Sequence, residues 1–381
     1  MNLKKISLFT FLLLISVTPF VQSSTDQDLA NTFSVNVLPT FIPPIMSAIR
    51  WISFIFTIIL LLLNVKFFLK IISTYYLITV FYFIQLSYAI VTLTEIGRYF
   101  SLTLFATTVP FFVFYTLYHN KKTIKYSTYV IYFLTLFSIL FNYKMILSGQ
   151  RFTGFSNNSN LYAITAMFWL VILIINKNKS ILNTVFIMLI LISIFFTGSR
   201  NGFVGLILIL FLQYKNNTKV LISGGITLVL LLFIALSFVD ISFVTDRLSN
   251  IGNSTSDSGR DIFWDPAIHL IKSDPWWGYG MDANLKLVGT HNIHNVYLRY
   301  LLNMGVFFTL LSFGFYFLFV LKILCKHKII PGALLGFLIA FTLNNFGEDF
   351  LVGIGSSIIV YFMFIIGFIV FHLKVQVNDF N

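Results

Sequence analysis

The chain has 381 residues, of which 58% are hydrophobic, 18% aromatic and only 10% charged, with 46 phenylalanines. Soluble domains carry roughly 25% charged residues, and here a mean hydropathy of +0.90 runs through the whole length, which excludes a tethered soluble enzyme, a disordered chain and a disulfide scaffold. One cysteine, Cys325, allows no internal disulfide or cysteine cluster, and the net charge of +12 reads as a membrane-orientation signal rather than a nucleic-acid footprint.

Apolar runs near 6–21, 45–65, 71–93, 99–118, 126–143, 161–176, 180–197, 203–214, 220–239, 296–321, 329–347 and 350–373 predict about twelve transmembrane helices. With the N-terminus in the cytosol, the cytosolic segments hold 15 of the 25 cations, from Lys4 and Lys5 to Lys374, against the single acid Asp379. That alternation persists through every hairpin, as the positive-inside rule requires of short loops. The first run also has the outline of a signal peptide, with Lys4-Lys5, an apolar stretch and Val21-Gln22-Ser23; an uncleaved first span is the expectation. The expected fold is all-α, a polytopic membrane helix bundle forming a single domain over 1–381.

One connection differs in kind. Residues 239–295 form a long, mostly polar loop on the non-cytosolic side, holding seven of the thirteen acids. Chemistry on water-soluble groups belongs there. Asp265-Pro266 predicts an N-cap and a first-turn proline, followed by a short helix with Ala267, Leu270 and Ile271 on one face. Such a helix lies on the membrane surface or against the bundle.

Three outward arginines stand beside glycine and small polar residues. Gly198-Ser199-Arg200-Asn201-Gly202 interrupts two apolar runs, and Arg200 lies fifteen residues, roughly 22 Å of helix, from Lys215. That depth is short of a full crossing, where an arginine faces a polar cavity or a ligand unless it snorkels to the interface. Arg151, in Gln150-Arg151-Phe152-Thr153-Gly154, and Arg260, in Ser258-Gly259-Arg260, lie on the same side. Singly each reads as a solvated loop residue; together they suit an anion, because guanidinium forks bind phosphate bidentately.

His291-Asn292-Ile293-His294-Asn295 precedes the tenth span, where an imidazole can serve as a general base. The histidine spacing, without cysteine or HExxH support, argues against zinc. Asp257, Asp261 and Asp265 recur at helical spacing, but Gly259 and Pro266 argue against one helix carrying all three, so no metal site is expected. Glu348-Asp349, between the last two spans, reads as an outward polar turn, and Arg50 and Arg299 as residues close to the outer span ends. His119, His327 and His372 fall on the cytosolic side.

At these residues the sequence resembles the O-antigen ligase and O-antigen polymerase superfamily of multispanning bacterial enzymes. Four blocks follow in that family's order over about 150–305: Arg151-x-x-Gly154 through Asn160; Gly198-Ser199-Arg200-Asn201-Gly202; Ser258-Gly259-Arg260 with Trp264 and Pro275-Trp276-Trp277-Gly278-Tyr279-Gly280; and His294-Asn295-x-x-Leu298 leading into Gly305. Asn201, where many relatives have a small residue, and Pro266 depart from the pattern. The resemblance implies an inverting, metal-independent glycosyltransferase in the bacterial cytoplasmic (inner) membrane, active on the periplasmic face, whose donor is a glycan on undecaprenyl diphosphate. It needs no cofactor. Arg200 and Arg260 would hold the diphosphate with Arg151 lining the cavity, and His294 would take the acceptor proton. Ser199, Asn201, Asn160, His291 and Asn295 would support them, with His291 the reserve base.

Ligase-like transfer to a lipid A core is the first reading. Polymerisation onto a second lipid-linked glycan is the alternative, with transfer to a protein behind both. A lipid-linked oligosaccharide transporter would need polar residues deep in several spans in corresponding halves, whereas the notable charges here gather on one face.

Overall fold

Without water to satisfy backbone amides, an apolar run crossing a membrane closes its hydrogen bonds internally as a helix. The computed structural model describes residues 3–20, 41–147, 150–156, 158–176, 180–220, 222, 225, 261–290, 293–352 and 357–376, and among these residues it contains helices and no strand. In chain order the described helices are α1 (Leu3–Val17), α2 (Ile42–Leu63), α3 (Val65–Val91), α4 (Ile96–His119), α5 (Thr123–Phe141), α6 (Tyr143–Leu147), α7 (Ser159–Ile175), α8 (Ile181–Phe196), α9 (Arg200–Tyr214), α10 (Asp261–Ser273), α11 (Ala283–Val288), α12 (Val296–Leu324), α13 (Gly332–Asn344) and α14 (Ser357–Gln376). Among the described residues, seven spans are long and apolar enough to cross a membrane, and α7, α8, α9 and α13 are shorter apolar helices. The chain is thus an all-α polytopic membrane bundle. Eleven of the expected runs coincide with helices; the run 220–239 lies mostly outside the described residues.

The run 296–321, expected as one continuous span, is broken. Gly305 has φ 69° and ψ 178°, far from helical values. Ring contacts show that the chain reverses there. Tyr297 lies 4.8 Å from Phe313 and 6.3 Å from Phe317, and Tyr300 lies 5.3 Å from Phe313. In a straight helix, residues 297 and 317 would stand about 30 Å apart. The half-helix 296–304 therefore folds back along 306–324. The break is filled by the Pro275–Met281 segment, whose Tyr279 and Gly280 amides donate to the Leu302 and Asn303 carbonyls at 3.1 and 2.9 Å, while the Val306 amide donates to the Pro275 carbonyl at 2.7 Å. Gly278 and Gly305 press backbone on backbone, leaving no room for a Cβ at either.

Pro266, expected at a helix start, sits inside α10. Its missing amide costs a helical hydrogen bond, and the exposed outer face on which it and Ile262 lie leaves the freed carbonyl open to solvation. The apolar face is as expected: Ala267 is buried with Ala283, Ile293 and Leu302, and Leu270 and Ile271 pack against them. This small core joins α10, α11 and the half-helix 296–304, separately from the main bundle core.

A second packing feature fixes the site's height. In α13, Gly332 approaches the backbone of Leu212 and Gly336 that of Ile209, and Ala340 meets Gly205 of α9, so the two helices run antiparallel with almost no side chain between them. Small residues at four-residue spacing permit such close approach in membranes.

Candidate active site

The α9–α13 register, carried on from Gly205–Ala340, sets Arg200, the first residue of α9, opposite Asn344 and Asn345 at the end of α13. Ser199 caps α9, its hydroxyl accepting from the Gly202 amide at 3.1 Å, and Gly202 packs on Ala163 of α7. Arg200 and Asn201 are both half-buried at this end. One turn from Ala163, on the same face of α7, stands Asn160.

Asn160 leads to the centre of the site. Its Nδ2 donates to Glu348 Oε1 at 2.7 Å, and Glu348 Oε2 lies 3.1 Å from His294 Nδ1. The His294 side chain is 13% exposed and that of Glu348 3%, so the contact is shielded from bulk water. It is a hydrogen bond to a neutral imidazole and an ion pair to a protonated one. His294 itself has φ 56°, a left-handed conformation rare for a residue with a side chain.

The neighbouring carboxylate braces that strained residue. Asp349 Oδ2 accepts from the Ile293 amide at 3.1 Å and from Arg299 Nη1 at 3.2 Å, both ion-pair side chains being 6% exposed. The Asn295 side chain caps α12 by accepting from the Leu298 amide at 3.0 Å, the Val296 amide donates to the Asn345 carbonyl, and Trp264 Nε1 donates to the Ile293 carbonyl at 2.8 Å. Residues 345–349 thus form a bracket around 293–299.

Glu348-Asp349 is therefore not an outward polar turn. Both acids are buried because each has a cationic or cation-capable partner, which offsets the desolvation that would otherwise keep them in water. Arg299, expected near an outer span end, is buried by the same pairing, since the half-helix carrying it folds back into the bundle.

Arg151 comes to the same end of the bundle from the 150–156 loop. Its Nε donates to the Thr197 carbonyl at 2.9 Å, and the next amide, Phe152, donates to the Phe196 carbonyl at 2.9 Å. Gly154, at φ 57°, lies flat against the Tyr162 ring with no space for a Cβ, which holds this loop down beside α7. Arg151 and Arg200 thus flank the 197–199 turn.

The geometry brings Arg151, Ser199, Arg200, Asn201, Asn160, His294 and Asn295 to one junction, where α7, α9 and α12 begin and α8 and α13 end. Arg260 and His291 lie outside the described residues. Glu348, Asp349 and Arg299 are site residues that sequence reasoning passed over; two adjacent acids in a chain with 13 acids were the available signal. Among the described residues no cluster of three His, Cys, Asp or Glu side chains could hold a metal ion.

No curated protein matches the chain. Residues 184–313 match the family model described as O-antigen ligase. The match contains Arg200 and His294, whereas Arg151, Asn160 and the Glu348-Asp349 pair lie outside it. Over this segment, which holds the glycine-flanked Arg200 and the histidine just ahead of the half-helix, the chain is similar to the O-antigen ligase superfamily.

Proposed function

We propose that this protein, an O-antigen ligase/polymerase-type enzyme, transfers a glycan from undecaprenyl diphosphate to a hydroxyl of a lipid A core, at the periplasmic face of the bacterial inner membrane. The observation that carries the reading is the His294–Glu348 contact, at the end of the bundle toward which the α9–α13 register carries Arg200. With Glu348 accepting from Nδ1–H, the imidazole lone pair rests on Nε2, the tautomer a general base requires. The acceptor oxygen attacks the anomeric carbon and its proton passes to Nε2. The bond between the anomeric carbon and the phosphate oxygen breaks, with inversion, and the electron pair leaves on the diphosphate.

Charge grows on that diphosphate as the bond breaks, and fixed guanidinium groups in a water-poor site stabilise it most at that moment. Arg200 and Arg151 supply them, with Arg260 the third. Diphosphate is already a good leaving group, so arginines suffice without a metal.

The test is transfer in membranes carrying single variants expressed at wild-type levels. His294→Ala lowers turnover by on the order of 10²–10⁴-fold, and Arg200→Ala by about 10²–10³-fold. Near-normal turnover in either variant overturns its role. The lipopolysaccharide of a deletion strain identifies the acceptor: loss of a ligase leaves core with no O-chain and accumulates lipid-linked polymer, whereas loss of a polymerase leaves core bearing a single repeat.

A further inference from the structure

The four short apolar helices have 17, 16, 15 and 13 residues. They form one contiguous group, α8 on α7, α7 on α9 and α13, and α9 on α13; α7 and most of α13 are buried inside the bundle, so α8 and α9 carry the group's exposed apolar faces. At 1.5 Å per residue they rise only about 20–25 Å, against about 30 Å of hydrocarbon. Other helices are taller: α3, which packs on α12, has 27 residues, and the largely buried α4 has 24.

Relative heights follow from the antiparallel pairings. Gly205 meets Ala340, and Tyr316 bonds Thr342 at 2.8 Å, so Val204 of α9 stands level with residues 317 and 318 of α12. Gly305 lies twelve residues above 317, about 18 Å, and Arg200 four residues above Val204, about 6 Å. The arginine is therefore about 12 Å lower than the helix break. On the α3–α12 flank, exposed apolar residues continue up to the break at Phe83, Ile90, Val91, Phe307 and Leu310. On α9 they stop at Val204, and the half-buried Asn201 and Arg200 follow.

We propose that the lipid bilayer is thinned where it meets the α8–α9 flank, bringing the outer headgroup plane down to the level of Arg200 and Arg151. A short apolar belt is accommodated by thinning at fractions of a kcal/mol per Å. The partner of this surface is the phospholipid bilayer itself. Resting on the transfer reading above, the consequence is directional: a lipid-borne diphosphate reaches the arginines in the plane of the membrane from the α8–α9 side, without rising out of its headgroup layer.

The test needs no donor. In the full chain with Cys325→Ser, a bimane fluorophore is placed on Val204→Cys or on Leu318→Cys. These apolar positions are 50% and 54% exposed and level with each other in the protein. Each protein is reconstituted in phosphatidylcholine vesicles brominated near the headgroup, at mid-chain or near the terminal methyls. The quenching maximum at 204 shifts to the bromines nearest the headgroup, while that at 318 stays deep in the acyl region. A common maximum at both positions overturns the proposal and leaves the transfer reading untouched, just as full activity in His294→Ala would overturn that reading alone.

Discussion

Glu348 does two jobs with one carboxylate: Oε1 is held by Asn160 and Oε2 meets the imidazole of His294. An amide in its place can still accept from Nδ1–H but cannot neutralise the imidazolium that the proposed mechanism forms at His294. Glu348→Gln is expected to lower kcat by about 10²-fold or more, with little change in KM; steady-state kinetics in membranes check it, and an unchanged kcat removes Glu348 from the mechanism. Asp349 differs in kind, because it neutralises the buried Arg299 and grips the Ile293 amide. Removing one partner of a buried pair costs about 3–5 kcal/mol, so Asp349→Asn is expected to lower the thermal unfolding temperature in detergent, whereas Glu348→Gln leaves it nearer wild type. His294, Arg151 and Arg200 were legible as candidates because such residues stand out against an apolar chain. Their acidic partners were not, since acids at a span end read as solvated and the imidazole that Glu348 serves lies 54 residues away.

Among the elements, the α9–α13 seam sets where Arg200 stands. A Cβ on Gly336 would press on the Ile209 and Leu208 backbone, which cannot rotate away. Gly336→Leu is expected to force the helices apart at a cost of about 1–3 kcal/mol and to reduce transfer by moving the Arg200 end of α9 away from α13. Thermal unfolding and turnover measured on the same preparation check this, and a variant with both unchanged contradicts it. The helices themselves were readable from apolar run length alone. The reversal at Gly305 was not, because a glycine inside an apolar run is ordinary in membrane helices. What breaks this one is a backbone partner from distant sequence, the 275–281 segment, whose amides take up the carbonyls the break frees. Pro266 was misplaced for a related reason: its position within the helix depends on where α10 begins, and a proline marks a helix start only when nothing upstream extends the helix.

Taken as a molecule, the bundle joins a tall flank to a short one and sets its charged machinery where they meet. In the proposed mechanism the guanidinium groups take the part a metal ion would otherwise play. Transfer in membranes is accordingly expected to be unaffected by EDTA; a loss restored by magnesium would bring the acidic residues of the long loop back as ligands. The orientation signal was legible at this scale because lysines repeat at every turn on one side, from Lys4 to Lys374. The difference in height was hidden, since it depends on which helices are neighbours.

The reversal at Gly305 also bears on how the protein is made. The half-helix with His294 is synthesised well before Asn345, Glu348 and Asp349, yet docks against them. A ribosome that has reached residue 330 has already translated Arg151, Arg200 and His294, but not yet Asn345, Glu348 or Asp349. The candidate site is therefore among the last parts of the protein to mature, after α13 has been made and has delivered its trailing acids.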